Sequence, residues 1–350
     1  MTVQQPLALV NTPSSKAARG ARRTWLRQAV AALAAVSTVG WAPAALAQSS
    51  AVPETSRILV GFGAGGGIDL LARVLAERIA PQLGARHHFV VDNKPGAGGQ
   101  IAAQALLSAP ADGGTYLIAP LITPVLSQIV YKKPGYDPAR DFTPVGLVAH
   151  FQFALAVPAS HPARTVPEFV AWLQANPDKA NFGSPAAGSL PHFFGLLLGG
   201  AAQVDIVHVA YKGGAPMLSD LAGGQISSAI QTTTELLPLY KQGKIRILGT
   251  FSEKRTRELP DVPTFVESGY PKAVGSGWYS LWARNGTPAA AVTAVNRALN
   301  KSLADPAVKA RLDALALEPD PRTPHALEQL RVAEIVKWRP VIEASGFWAD

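Results

Sequence analysis

The run Ile58–Leu59–Val60 is followed by glycines and then by apolar residues at 68, 71, 75 and 79. That order predicts a strand over Ile58–Val60, a turn, and an amphipathic helix over Ile68–Leu83. His88–Val91 reads as the next strand, Gln100–Leu107 as a short helix and Tyr116–Ala119 as a third strand. Strands alternating with helices argue a parallel sheet covered by helices. Beyond Phe151 the theme restarts. "FALAVPA" is a strand, "VPEFVAWLQANP" a helix, and "NFGSPAAGSLPHFFGLLLGG" a strand end, a turn and a helix. "VDIVHVAYKGGAPMLSDLAGGQISSAI" repeats strand, turn, helix and strand, and "IRILGTF" adds another strand. "SGWYSLWARNGTP" reads as a strand returning toward the first half, and the chain from Pro288 onward is helical. The pattern predicts an α/β protein of two lobes.

Composition supports a large core. The 350 residues are 48% hydrophobic and 16% charged, with no cysteine. Without disulfides the fold rests on burial alone, which a chain of this length supplies. The missing cysteine also excludes a lipid-bearing one.

The first 47 residues differ from the rest. "ARRTWLRQAVAALAAVSTVGWAPAALAQ" has a basic front, a short apolar run and an Ala45–Leu46–Ala47 end, the three parts of an export signal. The apolar run is too short for a bilayer-spanning helix, which needs about 20 residues. Arg22–Arg23 followed by Trp25–Leu26 resembles a twin-arginine signal, although a Sec route fits as well. Cleavage is expected near Ala47, into the periplasm. The leader holds Lys16, Arg19, Arg22, Arg23 and Arg27 and no acid, so its removal lowers the formal charge from +8 to +3. No dense basic stripe remains, and nucleic acid is not an expected partner.

Three glycine-rich turns carry the candidate chemistry. In Phe62–Asp69, Gly63, Gly65, Gly66 and Gly67 free the backbone to gather N–H groups at a helix start, where an anion is favoured. Asp69 in the first turn either caps the helix or accepts a bond from a ligand. Gly61, Gly63 and Gly66 satisfy a dinucleotide-binding pattern, but Asp92 falls later than the acid expected about 20 residues on. "DNKPGAGG", from Asp92 through Asn93 to Gly99, is a second turn between strand and helix. Two such turns in adjacent units place two helix starts on one sheet edge, where open α/β sheets bind ligands.

The third turn is "GSPAAGSLPHFF", with Ser184, Gly188, Ser189 and His192. His192 at a helix start is as readily a packing residue as a ligand contact. Ser and His here lack a nucleophile elbow and an evident acid, so no catalytic residue is assigned. Lys212 before Gly213–Gly214 is either a cationic anchor or a solvated lysine, and Gln231 offers a neutral amide. Trp278 and Tyr279 wall a cleft or fill a core. The histidines show no metal-ligand spacing, so neither a metal nor a cofactor is expected.

Taken in order, "GFGAGGGIDLLAR", "VVDNKPGAGGQIAA", "NFGSPAAGS", "VAYKGGAPMLSDLAGGQI" and "LPDVPTFVESGYP" resemble the substrate-binding proteins of tripartite tricarboxylate transporters, the Bug family. The likeness runs over almost the whole chain past the leader. Gly61 stands where that family usually carries proline, and Gly114 where it usually carries tyrosine. The resemblance implies a periplasmic binding protein of type II: two α/β lobes, each a mixed sheet flanked by helices, with a hinge and an interlobe cleft. Lobe 1 would comprise residues 48–150 and 276–350, and lobe 2 residues 151–275. It implies a small carboxylate held by Phe62, Gly65, Gly66, Gly67, Asp69 and Asn93 from the first lobe. Ser184, Gly188, Ser189, His192 and Gln231 would close on it from the second.

The expected function is capture of a small organic acid by a monomer and its delivery to the membrane permease subunits of such a transporter. An exported α/β enzyme acting on a carboxylate, or a ligand sensor, are the alternatives.

Overall fold

The computed structural model describes residues 1–2 and 51–349. The leader reading falls on residues outside this set. From Ala51 onward the chain forms one compact unit.

Two sheets organise it. The first contains β1 (Thr55–Val60), β2 (His88–Asn93), β3 (Thr115–Pro120), β4 (Phe142–Phe151), β10 (Gly277–Arg284) and β11 (Glu318–Pro319), in the order β11-β4-β10-β3-β1-β2. The second contains β5 (Phe153–Pro158), β6 (Asn181–Ser184), β7 (Val207–Ala210), β8 (Ala229–Thr232) and β9 (Ile245–Thr250), in the order β7-β6-β8-β5-β9. β1 lies parallel to β2 and β3, whereas β10 runs antiparallel between β3 and β4. In the second sheet β6 is parallel to β7 and β8, and β5 is antiparallel to β8 and β9. Each sheet is therefore mixed, because the chain crosses between lobes twice. The first crossing is the single residue Gln152 between β4 and β5, and the second runs from Thr250 to Gly277.

Helices cover these sheets: α1 (Gly67–Leu83), α2 (Gln100–Ser108), α3 (Val166–Ala175), α4 (Leu190–Ala202), α5 (Gly214–Ala222), α6 (Thr233–Lys241), α7 (Ala289–Ala304), α8 (Pro306–Ala314) and α9 (Pro324–Ser345). α1 forms because Leu71, Leu75 and Ile79 recur on one face, and all three are fully buried. Each such side chain contributes about 1.5–3 kcal/mol by leaving water. Thr165, which accepts from Glu168 N, and Asp305, which accepts from Ala307 N, cap α3 and α8.

The alternation of strands and helices appears as the sequence predicts, with β1 starting three residues earlier and β2 ending two later. β4 is not signalled by periodicity, and α6 and β11 are likewise absent from the sequence pattern. The ten residues of β4 are mostly buried on both faces and include Pro144 and Gly146. A strand buried on both faces has no apolar–polar alternation, and a proline argues against a central strand. Here the proline is accommodated beside an irregularity in the pairing of β4 with β10, between Leu281 and Trp282.

Candidate functional site

The register brings the candidate turns to one region. Val60, Asn93 and Pro120 end β1, β2 and β3 on the same edge of the first sheet, and Tyr279 of β10 lies opposite Pro120. Ser184, Ala210 and Thr232 end β6, β7 and β8 on the matching edge of the second. Both edges lie at the crossing residues, since Phe151 ends β4 and Phe153, beside Thr232, starts β5. The glycine-rich turns named from the sequence leave these edges.

The first turn is held by a clasp around Asp69, which is 1% exposed. Asp69 Oδ2 accepts from Gly65 N at 2.9 Å and from Arg73 Nε at 3.0 Å, and Oδ1 accepts from Asn93 Nδ2 at 3.0 Å. Asn93 Nδ2 also donates to the Phe62 carbonyl at 3.1 Å. Burial pushes the Asp69 carboxyl up, but the bonds from Arg73, Gly65 and Asn93 outweigh it and hold the group below its ordinary value. The α1 N-cap is Gly66, which has no side-chain cap. Asp69 and Asn93 thus bind the chain's own loop.

The clasp leaves donors available. Leu70 N bonds the Gly66 carbonyl, the first bond of α1. The N–H groups of Gly66, Gly67, Ile68 and Asp69 precede that bond and take no backbone acceptor among the described residues. Gly63 to Gly66 are exposed, and a side-chain position at Gly63, Gly65 or Gly67 would meet open space. Gly65 has φ +83°, a conformation L side chains rarely adopt.

The second turn packs directly on the first. A Cβ on Gly61 would lie 2.7 Å from Gly99 Cα. Gly61 therefore lets the two backbones touch. A Cβ on Gly99, at φ +94°, would lie 3.0 Å from Thr123 Oγ1 and 3.7 Å from the Phe62 ring. Thr123 lies in a helical turn, Ile122–Leu126, that follows β3, and Tyr136 Oη donates to its carbonyl at 3.0 Å. This third segment carries no motif, and sequence reasoning finds no ligand signature in it.

On the second lobe, Ser184 is fully buried. Its Oγ lies 2.7 Å from His208 Nε2 and donates to the Ala186 carbonyl at 3.0 Å. Ser189 Oγ donates to the same carbonyl at 2.6 Å, and His192 Nδ1 accepts from Gly188 N at 3.1 Å. The His192 and His208 rings stack with centroids 3.9 Å apart and planes at 13°. Burial, reinforced by His208, pushes the His192 imidazole down to about 4, and burial takes His208 down to about 4. Both rings are neutral at pH 7, which makes such close stacking tolerable. Ser184 and His208 form a hydroxyl–imidazole couple, but no carboxylate orients His208 among the described residues.

Gly188 also joins the lobes. A Cβ there would lie 2.7 Å from Val130 Cγ1 and 3.1 Å from the Phe347 ring. Phe347 packs edge-on against His192 at 4.6 Å, while Ala349 N donates to the Val130 carbonyl at 2.8 Å. The C-terminal segment thereby ties the Gly188 turn to the first lobe, a contact with no sequence signal.

Gln231 lies within β8 and is 2% exposed. Its Oε1 accepts from Thr232 N at 2.8 Å and its Nε2 donates to Glu235 Oε2 at 2.8 Å. Glu235 was not singled out from the sequence; its one signal there is its place four residues after Gln231, at a helix start. Tyr279, a candidate cleft wall, is half-buried and stacks on Phe151 at 4.4 Å, whereas Trp278 is fully buried. Lys212 is exposed.

A separate recess of about 960 Å³ opens near the β11 edge, lined by His150, Gln152, Arg255, Arg257 and Arg322 among others. Its arginines are engaged: Arg255 with Glu267, Arg257 with Asp313, and Arg322 with Asp320. The glycine-rich turns take no part in it.

The described residues match the model of the tripartite tricarboxylate transporter family receptor over residues 71–347. A relative from Pseudomonas sp. strain P51, the UPF0065 protein in the tcbD-tcbE intergenic region, is 33% identical over 285 residues, covering 81% of this chain and 84% of that one. The solved structure of Rpa4515 from R. palustris, bound to adipate, has 34% identity and a TM-score of 0.79, covering 84% of this chain and 98% of its own. The periplasmic binding protein BugD has 32% identity and a TM-score of 0.77, covering 85% of this chain and 100% of its own. The chain belongs to the tripartite tricarboxylate transporter receptor family and is built on the two-lobed fold of its periplasmic solute-binding proteins.

Proposed function

We propose that this protein captures a small carboxylate between its lobes and delivers it, as a monomer, to the permease subunits of a tripartite tricarboxylate transporter. The observation that carries this reading is the open row of N–H groups from Gly66 to Asp69, held over the cleft edge by the Asp69–Asn93 clasp. A carboxylate at this helix start meets the positive end of the dipole and several fixed donors. Each charge-assisted bond is worth about 1.5–3 kcal/mol. Neutral donors suit a protein that must also release its cargo, because a buried ion pair is costly to form and to break.

The adipate bound to the related Rpa4515 supports a carboxylate as ligand here. Phe62, Gly65, Gly66 and Gly67 provide the first-lobe seat, with Asp69 and Asn93 as its scaffold. The turn from Ser184 to His192, and Gln231, form the opposing wall. Lobe 1 takes residues 48–150 and 276–350 and lobe 2 residues 151–275, so that the crossings at Gln152 and at 250–277 serve as the hinge. Closure about them excludes water and strengthens each bond. The export signal, removed near Ala47, delivers the protein to the periplasm.

A thermal-shift screen of carboxylic acids tests this. A ligand at about 100 times its Kd adds about 2.7 kcal/mol of stability and raises Tm. A nucleotide that shifts the transition while every acid leaves it in place would sink the proposal.

A further inference from the structure

Glu235 sits in the first turn of α6, at the cleft edge of the second sheet. Gln231 Nε2 donates to its Oε2 at 2.8 Å, and Gln231 is itself held by the bond from Thr232 N to Oε1. The amide is therefore fixed with its donor toward Glu235. Gly214, at the start of α5, supplies the space: a Cβ there would collide with Glu235 Oε2. Two neighbours thus orient this carboxylate, one by a bond and one by lacking a side chain.

The group has no cation of its own. Oε1 accepts no hydrogen bond among the described residues, and no Lys, Arg or His pairs with it. Glu235 is exposed at the surface of α6, and partial desolvation pushes its carboxyl up. Tyr279 of the first sheet lies opposite Pro120, at the cleft edge of that sheet. Burial pushes its phenol up, and the charge of Glu235 pushes it further. Glu235, three residues past the end of β8, and Tyr279 stand at the cleft edges of the two sheets.

An anion held at the cleft edge repels a second anion and attracts a cation, most strongly once water is excluded. Closing over it unpaired would leave a desolvated charge. We infer that Glu235 is the specificity residue of the second lobe, and that it pairs with a cationic amine at the far end of a ligand whose carboxylate sits on the Gly66–Asp69 seat. The ligand class is an amino-substituted carboxylic acid, and a dicarboxylate is disfavoured. This rests on the carboxylate reading above and narrows it.

Matched pairs of acids test it by calorimetry on the purified protein: succinate with 4-aminobutanoate, glutarate with 5-aminopentanoate, and adipate with 6-aminohexanoate. Each pair keeps its length and exchanges one carboxylate for an amine. The expected result is that the tightest binder is an amino acid, favoured over its dicarboxylate partner by about tenfold or more, since tenfold is about 1.4 kcal/mol. Glu235→Gln keeps the shape and the contact with Gln231, and a Tm within a few degrees of the parent's shows that it folds. It should weaken the amino acid about tenfold or more and leave the dicarboxylate unchanged or tighter. A preference for the dicarboxylate in the parent protein, or the same preference in the parent and in Glu235→Gln, overturns the inference. Binding by none of the six acids overturns it too, whereas the broader acid screen decides the carboxylate reading beneath it.

Discussion

Gly61 and Gly99 meet backbone to backbone: a Cβ on Gly61 would stand 2.7 Å from Gly99 Cα and 3.3 Å from its carbonyl oxygen. Neither atom is the end of a flexible side chain, so the contact cannot yield locally. Gly61→Ala should force the two turns apart, cost about 1–3 kcal/mol as overpacking does, and weaken ligand binding. Urea unfolding and calorimetry measure the two effects. Parent-like values of both would show that the turns do not depend on this approach.

The Asp69 clasp should be a stability element as well as a scaffold. Asp69→Ala takes one acceptor from Asn93 Nδ2, Gly65 N and the Arg73 guanidinium, and removes a buried carboxylate with three bonds. A loss of about 1–3 kcal/mol is expected, with binding reduced because Gly65 and Phe62 are no longer fixed. Asp69→Asn, which keeps the size, should lose less. Loss of affinity with unchanged unfolding would instead make Asp69 a direct ligand contact.

The stacked pair His192 and His208 gives stability a defined pH dependence. Each imidazole takes up its proton near pH 6.5 in the unfolded chain and only near 4 in the fold. Between these values the unfolded chain binds more protons, so falling pH favours unfolding. The contribution is fully present above about pH 6.5, declines as pH falls, and is gone below about 4. Unfolding free energy measured across that window should fall more steeply in the parent than in His208→Gln. Parallel curves would exclude the pair as the cause.

Phe347 should matter although it lies close to the end of the chain. Its ring packs on His192 at 4.6 Å and on Phe193 at 6.2 Å, and it abuts the Gly188 position. Phe347→Ala is expected to cost about 2–4 kcal/mol, somewhat less than a fully buried phenylalanine, because Phe347 remains partly exposed. It should also raise the His192 pKa by admitting water. Titration of the His192 ring protons by NMR gives the second effect, and an unmoved midpoint would count against it.

Much of the fold is legible in the chain because its signals are local. Leu71, Leu75 and Ile79 recur at helical spacing, and the β-branched run Ile58–Val60 reads as a strand from its own residues. β4 is silent because burial on both faces erases alternation. The first-lobe seat is half legible. Gly63 to Gly67 announce a flexible turn before a helix, but the role of Asp69 depends on Asn93, which comes from the next strand. Ser184 and His192 stand out by residue type, whereas their shared neighbour His208 becomes relevant only once β7 is laid beside β6.

The sequence by itself determined the alternation of strands and helices, the glycine turns at the helix starts, and hence a surface suited to an anion. Spacing along the chain is enough for that, because periodicity and positive-φ glycines act over a few residues. Only the tertiary structure decided that Gly61 touches Gly99, that Phe347 covers His192, and that Tyr279 stacks on Phe151. Those contacts join segments brought together by sheet order and by the two crossings between lobes, and no local spacing encodes that distance.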